Sequence, residues 1–396
     1  MPTAGLPLHW QDFFEKTDKT FASLLAVFIG AKEVQIEGSG AACLLIALET
    51  LKKRSRRRTV IIPAYTCPLV VLAAAQAGLK VIACDLAANS FELDHAHLAK
   101  LLGPDTLCVI ATHYGGALTD AAGLKKFIAT SSPDTYVIED AAQAFGATWN
   151  GKHVGLAAHI GFFSFAIGKG LTLYKGGALV CEDEKLRVEL AETSQRLVRH
   201  SYIAELRCSV FFALMHFFYN PLGAALTYGL SRRYWLMRGN KVRAVGDYFA
   251  GDIPLYKVGG WRQKMGALAL RRLPDHLRTV QENSIRLGAK LSNLPGLKVY
   301  IPPSEAKPTN TFIFVTLPSA DVTQRALRKL WRSSLGVSKL FAHAINDYSY
   351  LSGKILPSDT PNAHFLAERT ITITTAPSLT AHDAEKILEC IRASYA

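Results

Sequence analysis

The sequence predicts an α/β protein: a mostly parallel seven-stranded sheet with helices on both faces, followed by a smaller C-terminal α+β domain. Three observations predict it. Short, continuously apolar runs recur through the first two-thirds of the chain. Longer helix-like stretches separate them. Near residue 257 the pattern changes to long helices mixed with isolated strand-like segments. At 396 residues the chain is also too long for one ordinary core and suits two domains.

The apolar runs lie at 33–36, 60–62, 81–84, 108–112, 136–138, 160–164 and 178–180. They do not alternate with polar residues, as expected of strands covered on both faces. Between them, 41–51, 69–76, 94–102 and 121–129 have helical spacing. This alternation implies parallel strands, whose ligands bind in the crevice at the carboxyl ends. The large domain is expected over 1–250, with an apolar insertion at about 208–245, and the small domain over 251–396. In the latter, a long helix is expected at 262–291, strands at 311–315 and 370–374, and helices at 322–333 and 381–394. Thr380 and Asp383 are placed to form a capping box for the last helix.

Lys and Arg number 45 against 32 Asp and Glu, a formal charge of +13. That favours an anionic partner: nucleic acid, an anionic membrane surface or a phosphorylated substrate. No nucleic-acid-binding signature accompanies the charge, which makes nucleic acid the weakest of the three. The basic run Lys52-Lys53-Arg54-Ser55-Arg56-Arg57-Arg58 ends a helix, where positive charge suits the dipole. The seven cysteines form no Cys-x-x-Cys pair and an odd number cannot all pair, so a reducing cytoplasm is expected. Residues 1–19 lack the pattern of a signal peptide. The histidines raise no expectation of a metal site.

Three short segments carry candidate chemistry. In Glu139-Asp140-Ala141-Ala142-Gln143 an acid ends a buried strand and would face the crevice, or else cap the next helix. In Ser164-Phe165-Ala166-Ile167-Gly168-Lys169 a lysine follows a strand end within an apolar, Gly-containing stretch; alone it would pass for a surface lysine. In Gly38-Ser39-Gly40-Ala41-Ala42 small residues open a helix whose first N–H groups can bind phosphate. Together they supply what pyridoxal phosphate (PLP) requires: an amine for a Schiff base with the aldehyde, an acid opposite the pyridine nitrogen, and an anion site.

On these blocks, with Ile62-Pro63-Ala64-Tyr65-Thr66-Cys67, Thr112-His113-Tyr114-Gly115-Gly116 and Gly176-Gly177, the chain resembles the DegT/DnrJ/EryC1/StrS family of PLP-dependent sugar aminotransferases, which have the fold type I of the aspartate-aminotransferase superfamily. The resemblance implies that Lys169 bears the cofactor and moves the proton, and that Asp140 pairs with the pyridine nitrogen. It places Gln143 near the ring hydroxyl, Cys67 at the position that stacks on the ring, and Ser164 with the amides of Gly40 and Ala41 on the phosphate. It further implies a homodimer with sites at the subunit interface. The amino donor it suggests is glutamate, and the acceptor a ketone on a sugar or sugar-like molecule, nucleotide- or lipid-linked. The alternatives are a membrane lipid as substrate, or a regulator that binds PLP without catalysis.

Several positions depart from the family. Ala41 replaces a usual Thr, and Cys67 a usual aromatic, for which Tyr65 or His113 could substitute. Tyr174-Lys175-Gly176-Gly177 stands for Gly-Glu-Gly-Gly. No Asn-Tyr-Arg block is visible near 258–262, leaving Arg262 or Lys264 to supply its charge. The segment 208–230 approaches the ~20 residues of a membrane-spanning helix. Asn220-Pro221 breaks it, however, and basic and aromatic residues follow directly. Two short helices at the inner face of an anionic membrane, or a buried hairpin, are both expected forms.

Overall fold

The computed structural model describes residues 5–331 and 333–395. Residues 1–4, where the N-terminal reading begins, and Arg332, within the helix expected at 322–333, lie outside it.

All seven expected runs form strands of one sheet: β1 (Gln35–Glu37), β2 (Thr59–Pro63), β3 (Lys80–Cys84), β4 (Thr106–Thr112), β5 (Tyr136–Asp140), β6 (Ile160–Ser164) and β7 (Gly177–Val180). Their spatial order is β1-β7-β6-β5-β4-β2-β3. Strands β2 to β6 run parallel, whereas β7 and β1 are antiparallel additions at one edge. An eighth strand, β8 (Ile355–Leu356), pairs with β3 at the other edge. It has only two residues, too few for any periodicity to mark it. Every residue of β2, β4, β6 and β7 is buried, which accounts for their unbroken apolar runs.

The helix Gly40–Arg54 starts at Ser39, whose hydroxyl accepts the Ala42 N–H, and ends on Lys52, Lys53 and Arg54. The basic run beyond it is used within the molecule: Lys52 pairs with Glu49, Arg54 with Glu189 and Arg57 with Asp134. The expected helix at 262–291 is two helices, Gly260–Leu270 and Leu273–Leu291. Pro274 sits in the first turn of the second, where its missing N–H costs nothing, but it could not continue the first.

A four-stranded antiparallel sheet follows, with Phe312–Thr316 and Thr370–Thr374 at its centre. Its core packs Val315, Ile371 and Ile373 against Leu291, Leu327 and Ile387 of three helices. Thr380 and Asp383 form the capping box of Ala381–Arg392. The apolar insertion begins before 208, at Tyr202, and is a hairpin: Tyr202–Phe218 and Pro221–Met237 meet at 119°. The break falls at Asn220, whose side chain accepts the Gly223 N–H. Among the described residues no single helix is long and apolar enough to cross a membrane.

Candidate active site

β2, β4, β5 and β6 run parallel, so their carboxyl ends lie along one edge of the sheet, where a ligand crevice is expected. Asp140 ends β5, pairs in register with Thr112 of β4 and Phe162 of β6, and is 5% exposed. Its Oδ1 accepts the Ala142 N–H at 3.0 Å. Burial raises its pKa from 3.8 to about 6, against the pull of that amide and of the Lys169 charge. Lys169 lies five residues beyond β6, in a turn closed by its own N–H on the Ala166 carbonyl. Burial lowers its pKa, which favours the neutral, nucleophilic amine. Cys67, at the start of the helix Pro68–Gln76, feels the charges of both Lys169 and Asp140, and burial pushes its thiol up to about 12. Lys169, Asp140 and Cys67 are therefore gathered in one low-dielectric site.

The helix start expected to bind the phosphate lies at the end of β6. The backbone of Gly40 approaches Ser164 so closely that a Cβ there would lie 2.8 Å from the Ser164 Cβ and 3.2 Å from its Oγ. A Cβ on Gly177 would lie 2.6 Å from the Ser39 carbonyl carbon. The N-terminus of the helix Gly40–Arg54 is thus pressed against the ends of β6 and β7, close to the Ser164 hydroxyl, which accepts the Ala166 N–H at 3.4 Å. Gln143 lies in the turn after β5; its carbonyl accepts the Thr309 hydroxyl at 3.3 Å. These residues fit PLP. Lys169 is electrostatically coupled to the buried Asp140 carboxyl, a helix start lies near Ser164, and the Thr66 and Thr112 hydroxyls are buried without partners.

Both candidates for the missing aromatic are held in place by their neighbours. His113 donates from Nε2 to Glu139 at 2.8 Å and accepts the Thr119 N–H on Nδ1 at 3.3 Å. Glu139 also accepts the N–H groups of Gly155, Ala157 and Ala158. Burial alone would raise its pKa, but the His113 bond and these amides outweigh it and hold the carboxyl low. The pair fixes the backbone next to Asp140. Tyr65 is fully buried among Phe91, Tyr114 and Phe341.

Arg262 does not supply the absent block's charge within this chain. It is 2% exposed and holds Glu205 through Nε at 2.8 Å and a second nitrogen at 2.5 Å, while donating to the carbonyls of Leu173 and Lys175. It thereby clamps the loop containing Tyr174, whose φ of 68° is one that glycine adopts without strain. Arg262→Met should cost roughly 3 kcal/mol in denaturant unfolding, the low end for a broken buried pair because Glu205 keeps some water contact. An unchanged midpoint would show that the clamp contributes nothing.

Two features escape sequence reasoning. Asp247 is buried beside Cys67; it accepts the Tyr348 hydroxyl at 2.7 Å and the Ala342 N–H at 2.6 Å, and burial raises its pKa to about 6. No motif marks it, because its partners lie about 100 residues away. His95-Ala96-His97 has metal-ligand spacing, but His97 Nδ1 accepts the Asp85 N–H and His95 stacks on Phe127. Among the described residues no group of three or more His, Cys, Asp or Glu could hold a metal ion.

The fold and this crevice define a fold type I aminotransferase whose cofactor is pyridoxal phosphate. Residues 9–204 match the model of the DegT/DnrJ/EryC1/StrS aminotransferase family. It is 24% identical to the spore coat polysaccharide biosynthesis protein SpsC of Bacillus subtilis over 381 residues, covering 94% of this chain and 88% of that protein. It is 33% identical to the 3-amino-5-hydroxybenzoate synthase of Amycolatopsis mediterranei, over 46% of this chain and 45% of that one. With the GDP-perosamine synthase of Caulobacter vibrioides it shares 25% identity over 71% and 70% of the two chains. Among solved structures, Helicobacter pylori PseC, an aminotransferase of pseudoaminic acid biosynthesis, superposes with a TM-score of 0.76 at 14% identity, covering 100% of this chain and 99% of that one. The sugar aminotransferase CalS13 of Micromonospora echinospora gives 0.74 at 18% identity over 99% of both chains. These likenesses establish the fold.

Proposed function

We propose that this enzyme moves an amino group, with glutamate as donor, to a keto group of a sugar or sugar-like acceptor. The observation that carries the reading is the placement of Lys169, just beyond β6, within electrostatic reach of buried Asp140 at the end of β5. The relatives support the acceptor class, since a GDP-perosamine synthase and a spore coat polysaccharide biosynthesis protein are among them. When bound, the cofactor acts as an electron sink that makes the donor's α-proton removable. Lys169 would hold the cofactor through its amine and serve as general base and acid for that proton. Asp140 holds the proton on the ring nitrogen. Ser164 and the amides of Gly40 and Ala41 would hold the phosphate, Gln143 would serve the ring hydroxyl and Cys67 the ring face. His113 acts through Glu139 as a positioning residue.

The active form is a homodimer, as the superfamily resemblance implies, and it works on the cytoplasmic side at an anionic membrane surface. The test combines a panel of keto sugars with candidate donors and detects the product by mass spectrometry. Glutamate-dependent replacement of a ketone by an amine is the expected result. A protein that binds cofactor but never converts it to the aminated form with any donor is a regulator instead. Light scattering that finds a fully active monomer would remove the dimer.

A further inference from the structure

The hairpin after the cofactor-bearing half of the chain leaves a stripe of apolar side chains exposed. On the helix Tyr202–Phe218 only Phe212 and Met215 are buried. Ile203, Leu206, Val210, Leu214 and Phe217 recur at helical spacing on the opposite face and are all exposed, Ile203 by 83%. The second arm adds Leu222, Leu230 and Met237, exposed by 80%, 55% and 75%. Apolar surface of this extent on a folded chain marks a docking site.

Charge identifies the occupant. Between Glu205 and Asp247 the chain has six cations, Arg207, Arg232, Arg233, Arg238, Lys241 and Arg243, and no carboxylate. Arg238 lies over Tyr234 at 4.8 Å, and Arg243 over Trp235 at 4.6 Å and Tyr248 at 4.0 Å. Among the described residues Arg207, Arg238, Lys241 and Arg243 form no ion pair. A second copy fits poorly. A two-fold interface places the same patch against itself, so two carboxylate-free cationic segments would meet. An anionic lipid surface satisfies both features, taking the apolar stripe among acyl chains and the Arg, Lys, Tyr and Trp side chains among headgroups.

We propose that the hairpin is a monotopic docking element that enters one leaflet of an anionic bilayer and brings the crevice to its surface. The inference deepens the aminotransferase reading, and rests on it for the direction from which the acceptor arrives. Three ties join hairpin and crevice. The backbone at Gly5 is wedged between the Tyr219 hydroxyl and the Lys169 carbonyl, since a Cβ there would lie 2.3 Å from one and 2.8 Å from the other. Tyr174 stacks on Phe211 with ring centroids 5.5 Å apart. Glu205, in the hairpin's first turn, holds Arg262, which clamps the Tyr174 loop. An acceptor carried on a lipid therefore meets the site from the membrane side.

The full-length holoenzyme is centrifuged at low salt with vesicles of phosphatidylcholine alone and of phosphatidylcholine with phosphatidylglycerol. It should sediment with the anionic vesicles and be released by salt. Arg238→Glu with Lys241→Glu should weaken that partition at least ~25-fold, from roughly five-fold per lost cation before the added repulsion. Leu214→Glu with Phe217→Glu should abolish it while the bound cofactor's visible absorbance and a cooperative melt persist. An enzyme that stays in the supernatant with all vesicles overturns the proposal, as does an apolar-stripe variant that still sediments. If that variant turns a dimer into monomers without changing sedimentation, a second copy covers the stripe. None of these readouts needs turnover, so glutamate-dependent amination of the cofactor in vesicle-free solution tests the aminotransferase reading separately.

Discussion

Lys169→Ala folds but loses at least ~10²–10⁴-fold in amino transfer, the range that a positioned general base alone contributes. The full loss is larger, because the same amine also has to hold and release the cofactor. Its environment argues for both roles. Burial lowers its pKa, so more of it is neutral near pH 7 than of an ordinary lysine. Lys169→Arg keeps the charge and most of the length but supplies no usable nucleophile, and should fail equally. Borohydride reduction of the holoenzyme, followed by peptide mapping, should find the cofactor fixed to Lys169. A label on any other lysine, or substantial turnover by Lys169→Ala, removes the assignment.

Much of the fold was legible because its strands are buried on both faces. β4 and β6 have no polar alternation to confuse with a helix, and each is followed by a residue suited to a crevice. The capping box at Thr380 and Asp383 was readable for a similar reason, since both partners lie within one turn. Features made by distant partners were not. Ile355–Leu356 becomes a strand only because β3 offers it an edge. Asp247 becomes a buried acid only when Tyr348 and Ala342 close over it.

The departures from the family pattern read differently in three dimensions. Arg262 looked like a replacement for a missing cation; instead it fixes the Tyr174 loop, and Glu205 of the hairpin fixes Arg262. A loop that would otherwise depend on glycine is thus held by an ion pair and by the Tyr174–Phe211 stack, both reaching into the inserted segment. The insertion and the altered loop therefore belong to one arrangement. That arrangement could not be read from the motif alone, because its parts lie 37 to 89 residues apart.

Asp140→Asn separates the two consequences of burying a carboxylate at the ring nitrogen. Asn keeps the shape and an acceptor for the Ala142 N–H, so the variant should fold and bind the cofactor. It removes the charge that keeps the ring nitrogen protonated, and turnover should fall by ~10²-fold or more, as for other preorganised electrostatic contacts. The cofactor-free proteins should show the opposite order in stability. In the wild type Asp140 titrates at about 6 when folded and at an ordinary 3.8 when unfolded, so between these values the native state binds more protons. Stability then falls as pH rises through that window, by at most about 3 kcal/mol at ~1.4 kcal/mol per pKa unit. Asn cannot ionise, so cofactor-free Asp140→Asn should lack this loss and be the more stable protein at pH 7, though a far poorer enzyme. Denaturant unfolding of both apoproteins at pH 4 and pH 7, beside turnover of the reconstituted forms, makes the comparison. Near-normal turnover in Asp140→Asn would reduce Asp140 to a helix cap, and an apoprotein difference that does not change with pH would mean that its carboxyl is not desolvated.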